Sequence, residues 1–256
     1  ALYNNTTAGG NTAVGNKSLI NNTTGFANVS VGALSSNSLV SGNYNTVLGQ
    51  AAYRYGTGSN NTAIGQSSLQ NTTASLNTAV GFEALKDNTT GSQAVAIGAY
   101  ALANNTTTGF NTAVGASAMF TNTTGASNVA VGWQSLYFNT TGGSNTAIGH
   151  AALRSTTGSD NVGLGFQAGY SNTTGGSNIA IGRRSFFTST TGTGNIAIGR
   201  EALYSATEAS YNSALGYQAL NKITTGSNNT AVGNAAGLNA TTGANNVFVG
   251  NTAGSF

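Results

Sequence analysis

The chain has no cysteine and no proline, one histidine, one methionine and one tryptophan in 256 residues, and only 5% of its residues are charged. Without cysteine there can be no disulfide and no thiolate metal site, which leaves the redox compartment open. With neither proline nor a charge run to mark a linker, residues 1–256 read as a single repeat domain. The charged fraction falls far below the roughly 25% of ordinary soluble proteins, so the surface must be neutral and polar. A formal charge of +3, from 8 Lys and Arg against 5 Asp and Glu, is too sparse for the basic stripe that phosphate backbones need, and no nucleic-acid partner is expected. No apolar run approaches the roughly 18 residues of a membrane span, and no signal peptide is evident, so no membrane insertion is expected. The chain opens at Ala1 without a methionine and reads as a mature product or an excised segment.

What the sequence has instead is a repeat. A five-residue pattern, seen at Asn145-Thr146-Ala147-Ile148-Gly149, returns fifteen times between residues 11–15 and 246–250, at steps of 17 residues with three of 16. A fixed short period marks one coil of a solenoid, unable to bury its apolar face until the next coil stacks on it. Numbered from the asparagine, the consensus is N-T-A-V-G-x-x-A-L-x-x-N-T-T-G-x-x. Slot four is always branched and apolar, from Val14 through Ile148 to Val249, and slot two alternates Thr with Val or Ile. Residues two apart share a strand face, so slots two and four together read as the core ladder. Slot three, Ala in eleven coils, then faces away from it. The slot-one asparagines, interrupted only by Ala94, predict a stacked amide ladder that fixes register.

The slot-five glycine suits a sharp corner. Beyond it, slot eight is Ala or Ser and slot nine usually Leu, as at Leu136 and Leu153. Neighbouring residues cannot both face inward on a flat strand, so this arm is either a bent strand or a single helical turn. The N-T-T-G of slots twelve to fifteen is turn chemistry, with Asn and Gly tolerating left-handed backbone. Two stretches depart from the consensus, near Leu39, Val40, Tyr53 and Tyr55 and at residues 206–210, and local bulges are expected there. The fold class is therefore all-β, a parallel β-solenoid of about fifteen coils.

Signals for catalysis are sparse. His150 stands alone at a corner, with Asp160 later in its coil, and the carboxylate pairs Glu83 with Asp87 and Glu201 with Glu208 sit in variable outward slots. We read the chain as no enzyme, with no cofactor and no metal site. Arg183, Arg184 and Arg200 should form a small basic spot beside Glu201. Aromatic residues recur at Phe82, Trp133, Phe166 and Tyr217 in slot six and at Tyr137 and Tyr204 in slot ten; rings of this kind hold sugar faces or pack at interfaces. The slot-three alanines, Ala113, Ala130, Ala147, Ala180 and Ala197 among them, read as an exposed small-residue stripe and hence as an oligomer interface. Thr pairs such as Thr140 with Thr141 and Thr156 with Thr157 could match an ice lattice, and Asn88-Thr89-Thr90 and Asn172-Thr173-Thr174 are glycosylation sequons.

The run Val129-Ala130-Val131-Gly132-Trp133-Gln134-Ser135 resembles the head repeats of trimeric autotransporter adhesins. The longer unit with its N-T-T-G turn is similar to repeats of bacterial and phage tail-fibre proteins. The first likeness implies a left-handed parallel β-roll with three chains about one axis. The 17-residue unit departs from the shorter adhesin repeat. Together these readings predict a structural extracellular fibre or filament subunit with an adhesive role, at a cell surface or on a virion tail. Its partners would be itself, as a homotrimer and end to end, and a glycan or cell-surface receptor. The alternatives are an ice-binding protein and a phage receptor-binding shaft.

Overall fold

In a computed structural model that describes residues 1–255, the protein is all-β, with no helix among the described residues. It forms two compact units, residues 1–127 and 128–256. The first contains β1 (Thr12–Val14), β2 (Val29–Val31), β3 (Thr46–Leu48), β4 (Thr62–Ile64), β5 (Thr78–Val80), β6 (Val95–Ile97) and β7 (Thr112–Val114), each paired parallel to the next. The second contains β8 (Val129–Val131), β9 (Thr146–Ile148), β10 (Val162–Leu164), β11 (Ile179–Ile181), β12 (Ile196–Ile198), β13 (Ser213–Leu215), β14 (Thr230–Val232) and β15 (Val247–Val249), again parallel in chain order. Each strand covers slots two to four, so one coil contributes one rung, and each unit is a parallel β-solenoid. The strands bordering the two irregular stretches stay in register, β2, β3 and β4 at the first and β12, β13 and β14 at the second.

Backbone pairing continues past the strands. Ala151 N donates to Trp133 O at 2.9 Å, Leu136 N to Ala152 O at 3.0 Å and Phe138 N to Arg154 O at 2.9 Å, so turn residues also stack coil on coil. The second arm is neither extended strand nor helix. It is two tight turns, closed by Ser135 N to Gly132 O at 3.3 Å and Asn139 N to Leu136 O at 3.1 Å. Left-handed backbone recurs at slots seven and nine and at the last residue of the coil, as at Gln134 (φ 53°), Leu136 (φ 49°) and Ser144 (φ 56°). Such a conformation costs a residue with a Cβ about 1–2 kcal/mol and is worst for β-branched side chains. Slot nine accordingly holds Leu, Met, Phe, Tyr, Ser or Gly and never Val or Ile. The turn also resolves the slot-eight and slot-nine conflict, because a left-handed residue lets both Ser135 and Leu136 point inward, and both are buried. The N-T-T-G segment is not where the left-handed residues lie.

The strand faces are inverted relative to the sequence reading. Slot three is the buried one: Ala113, Ala130, Ala147 and Ala197 are fully enclosed and Ala180 is 1% exposed. Slot four is outward, with Ile148 39% and Leu215 48% exposed. Ile148 is therefore no core position, and Asp there would meet solvent. The reason is volume. Each coil is one residue thick, and the slot-nine side chain already fills the interior from the opposite wall, leaving room for a methyl group. Exceptions prove the pairing of slots three and nine. Gly163 and Gly169 share a coil, and the space is taken by Leu153 of the coil before, whose Cγ would lie 2.6 Å from a Cβ placed on Gly163. Phe248 in slot three is matched by Gly237 and Gly254 in slot nine. Ser30 and Ser36 occupy both slots of one coil and close a buried hydroxyl cluster, Ser30 Oγ lying 2.8 Å from Ser35 Oγ and 3.1 Å from Ser36 Oγ.

The predicted asparagine ladder is present, and it is buried. Asn145 N donates to Asn128 Oδ1 at 2.8 Å and Asn161 N to Asn145 Oδ1 at 2.9 Å, while Asn145 Nδ2 donates to Gly158 O at 2.9 Å. Apart from the end members Asn11 and Asn246, which are half-buried, the amides lie within the coil wall, where an unpaired group would cost about 1–3 kcal/mol. Slot twelve forms a second internal column: Asn105 Nδ2 donates to Asn88 Oδ1 at 3.0 Å, and Leu39, Ala206 and Ile223 substitute in other coils. In the coil of β3 that slot is Gly56, and Tyr53 from slot nine swings into the gap. Its hydroxyl donates to Gly58 O and accepts from Asn61 Nδ2, both at 2.9 Å.

Candidate functional site

No pocket opens among the described residues, and no group of three or more His, Cys, Asp and Glu gathers there. What the chain offers is surface, and two kinds of it. The first is the outward strand face of slots two and four in each unit. In the first unit Val14, Val29, Leu48 and Ile97 are at least two-fifths exposed, and in the second Ile148, Leu164, Ile196 and Leu215 stand out similarly. Three-residue strands stacked in register make this a largely apolar band, diluted by the slot-two threonines. The slot-three alanines cannot serve as the expected oligomer interface, because they line the interior.

The second surface follows the corner, across slots six to ten, and it is richest in the second unit. Slot six there runs Trp133, His150, Phe166, Arg183, Arg200 and Tyr217 on successive coils. His150 lies between two rings, 4.7 Å from Trp133 and 5.0 Å from Phe166 between centroids. The Arg183 guanidinium sits 5.9 Å over Phe166, and that of Arg200 5.6 Å over Tyr217. Slot ten runs Tyr137, Arg154, Tyr170, Phe187 and Tyr204. Tyr170, Phe187 and Tyr204 form a parallel stack at 5.3 and 5.2 Å, and Arg154 reaches over Tyr137, Phe138 and Tyr170. Between the two columns, Arg184 Nε donates to Gln167 Oε1 at 3.1 Å, and Gln218 Nε2 donates to Glu201 Oε2 at 2.9 Å. The bond from Gln218, then that from Arg200, and the nearby Arg200 and Arg183 charges hold the Glu201 carboxyl below its ordinary range against a smaller opposing effect of burial.

The sequence-predicted aromatics divide accordingly. Phe82, Trp133, Phe166 and Tyr217 are exposed, whereas Tyr137 and Tyr204 are half-buried. In the first unit Phe82 packs edge-on against Tyr100 at 5.1 Å, and Tyr100 against Phe120 at 6.1 Å. Of the carboxylates in the two predicted pairs, Glu83 pairs with Lys86 at 3.1 Å, Asp87 accepts from Asn71 at 3.1 Å and Glu201 is bonded as described above. Slot-thirteen threonines spend their hydroxyls on the next coil, as Thr173 Oγ1 does on Thr190 O at 2.8 Å, and Thr156 is fully buried. That removes Thr156 from any surface array. Asn88 and Asn172 of the sequons are also buried, so their amides are out of reach of a glycosyl donor in the folded chain. Sequence reasoning overlooked Tyr170 and the outward aliphatic ladder. Aligning the coils by slot would have found the first. The second needed slots one and three to be recognised as one face, because a buried asparagine ladder draws slot three inside with it. No family model matches this chain, and neither does any curated protein or solved structure.

Proposed function

We propose that the chain is a structural, self-associating fibre subunit that presents an adhesive surface and performs no catalysis. The observation that carries this reading is the uncovered apolar strand face of slots two and four, which in water favours burial at about 25 cal/mol per Å². A second copy is the natural cover, because the same apolar face recurs on every molecule and closed symmetry then protects all copies at once. Three chains about a common axis is the arrangement that the resemblance to trimeric adhesin heads implies. An extracellular or virion-tail location agrees with the neutral polar remainder of the surface. The corner rings and arginines would then face outward, available to a glycan or cell-surface receptor.

Sedimentation equilibrium tests it. The unmodified chain should run at three times its 25.4 kDa mass. Ile148→Asp combined with Leu215→Asp should give a folded monomer, its stability changed by about 1 kcal/mol or less because both positions face out. A wild-type monomer at every concentration would overturn the reading.

A further inference from the structure

We propose that the corner face of the second unit binds an acidic saccharide, with its carboxylate or sulfate held between Arg183 and Arg200. The inference deepens the adhesive reading given above. Arg183 and Arg200 hold slot six on successive coils, the backbones joined where Glu201 N donates to Arg183 O at 3.0 Å. Their side chains therefore rise from points about 4.8 Å apart, and both are exposed. Like charges on adjacent coils repel, and the carboxylate beside them is Glu201, whose Oε1 accepts from Arg200 Nε at 3.2 Å. Arg183 makes no side-chain hydrogen bond among the described residues. An anion seated between the two guanidinium groups would relieve the repulsion and complete the donors.

The rings under the arginines make the site a built one. A guanidinium drawn over a ring by cation–π attraction is biased toward that position while its N–H groups stay free to donate. Phe166 and Tyr217 support Arg183 and Arg200 in this way, one on each flank of the pair. Arg184, turned onto Phe187 at 5.4 Å and tied to Gln167, adds positive potential without competing for the same space. Around this charge lie the planar polar groups that sugar hydroxyls favour, the amides of Gln167 and Gln218 and the carboxylate of Glu201. A phosphate polymer would need a longer basic track, and the slot-six column carries only these two cations before it returns to Tyr217.

Calorimetric titration of the full-length chain tests the proposal with four probes: an oligogalacturonate, a sulfated oligosaccharide, a neutral oligosaccharide of equal length, and polyphosphate. One or both acidic saccharides should bind, at least tenfold more tightly than the neutral one and than polyphosphate. Which of them binds separates a carboxylate from a sulfate as the anion. Arg183→Gln and Arg200→Gln should each weaken binding tenfold or more, while Arg54→Gln, in the first unit, should leave it unchanged. Equal binding of neutral and acidic sugars, tighter or equal binding of polyphosphate, no binding of any probe, or indifference to both arginine substitutions would each overturn the proposal. None of those results bears on the sedimentation of the chain, so the fibre reading stands or falls separately.

Discussion

The two units share one coil and differ in what they hang on it. Both stack the same three-residue strand, the same slot-one amides and the same left-handed turns. At slots three and nine the first unit tolerates polar exceptions, a coil of serines around Ser30 and a tyrosine hydroxyl at Tyr53, whereas the second is apolar at both slots, with a core through Phe186, Leu203 and Leu220. Outside, four of the five arginines fall in the second unit, and nearly all the guanidinium–ring contacts are there, Arg54 over Tyr55 being the first unit's example. The backbone ladder thus sets the fold, and the interior and the corner are left free to vary. A coil can exchange Leu for Tyr or Ser inside, or Gln for Arg outside, without moving its neighbours.

Three experiments probe that division. The largest effect should come from Gly163→Ala in the second unit. It installs the residue that most coils carry, yet it should destabilise by about 1–3 kcal/mol through overpacking, since Leu153 already fills the site. Chemical denaturation should also show that Leu153→Ala in the same chain abolishes most of that penalty. The first unit should respond in the opposite sense to its own repair. Ser30→Ala with Ser36→Leu replaces the hydroxyl cluster by the common Ala and Leu pair, and we expect a gain of about 1–2 kcal/mol from the added buried aliphatic surface. A loss there would mean that the serine network is worth more than a packed leucine. The smallest effect concerns pH. Burial, outweighing the hydrogen bonds to Asn61 and Gly58, pushes the Tyr53 phenol well above its ordinary value of 10.0. A raised folded value means that the neutral form is favoured by folding. Its contribution is complete below about pH 10 and is lost as pH rises above that, because only the unfolded chain then ionises freely. Stability of the first unit should fall above pH 10, and Tyr53→Phe should flatten that fall in thermal scans while losing the bonds to Gly58 and Asn61.

The repeat period, the parallel strand at slots two to four, the corner glycine and the asparagine ladder were all legible in the sequence, because each is a local rule repeated until it cannot be mistaken. The glycines at slot five carry two requirements at once: Gly149 has φ 132°, and a Cβ on it would stand 2.5 Å from Gly165 O. Which strand face turned inward was not legible. Alternation tells that slots two and four oppose slot three, but the larger aliphatic side chain is the usual choice for a core, and here it is the wrong one. Only the tertiary structure decides it, because the interior volume of a coil is set by both walls, and the slot-nine leucine, brought inward by a left-handed turn, leaves room for no more than alanine opposite. The same holds for the arginine pair. Its spacing along the chain is one coil length, seventeen residues from Arg183 to Arg200, and stacking alone turns that separation into neighbours on one face.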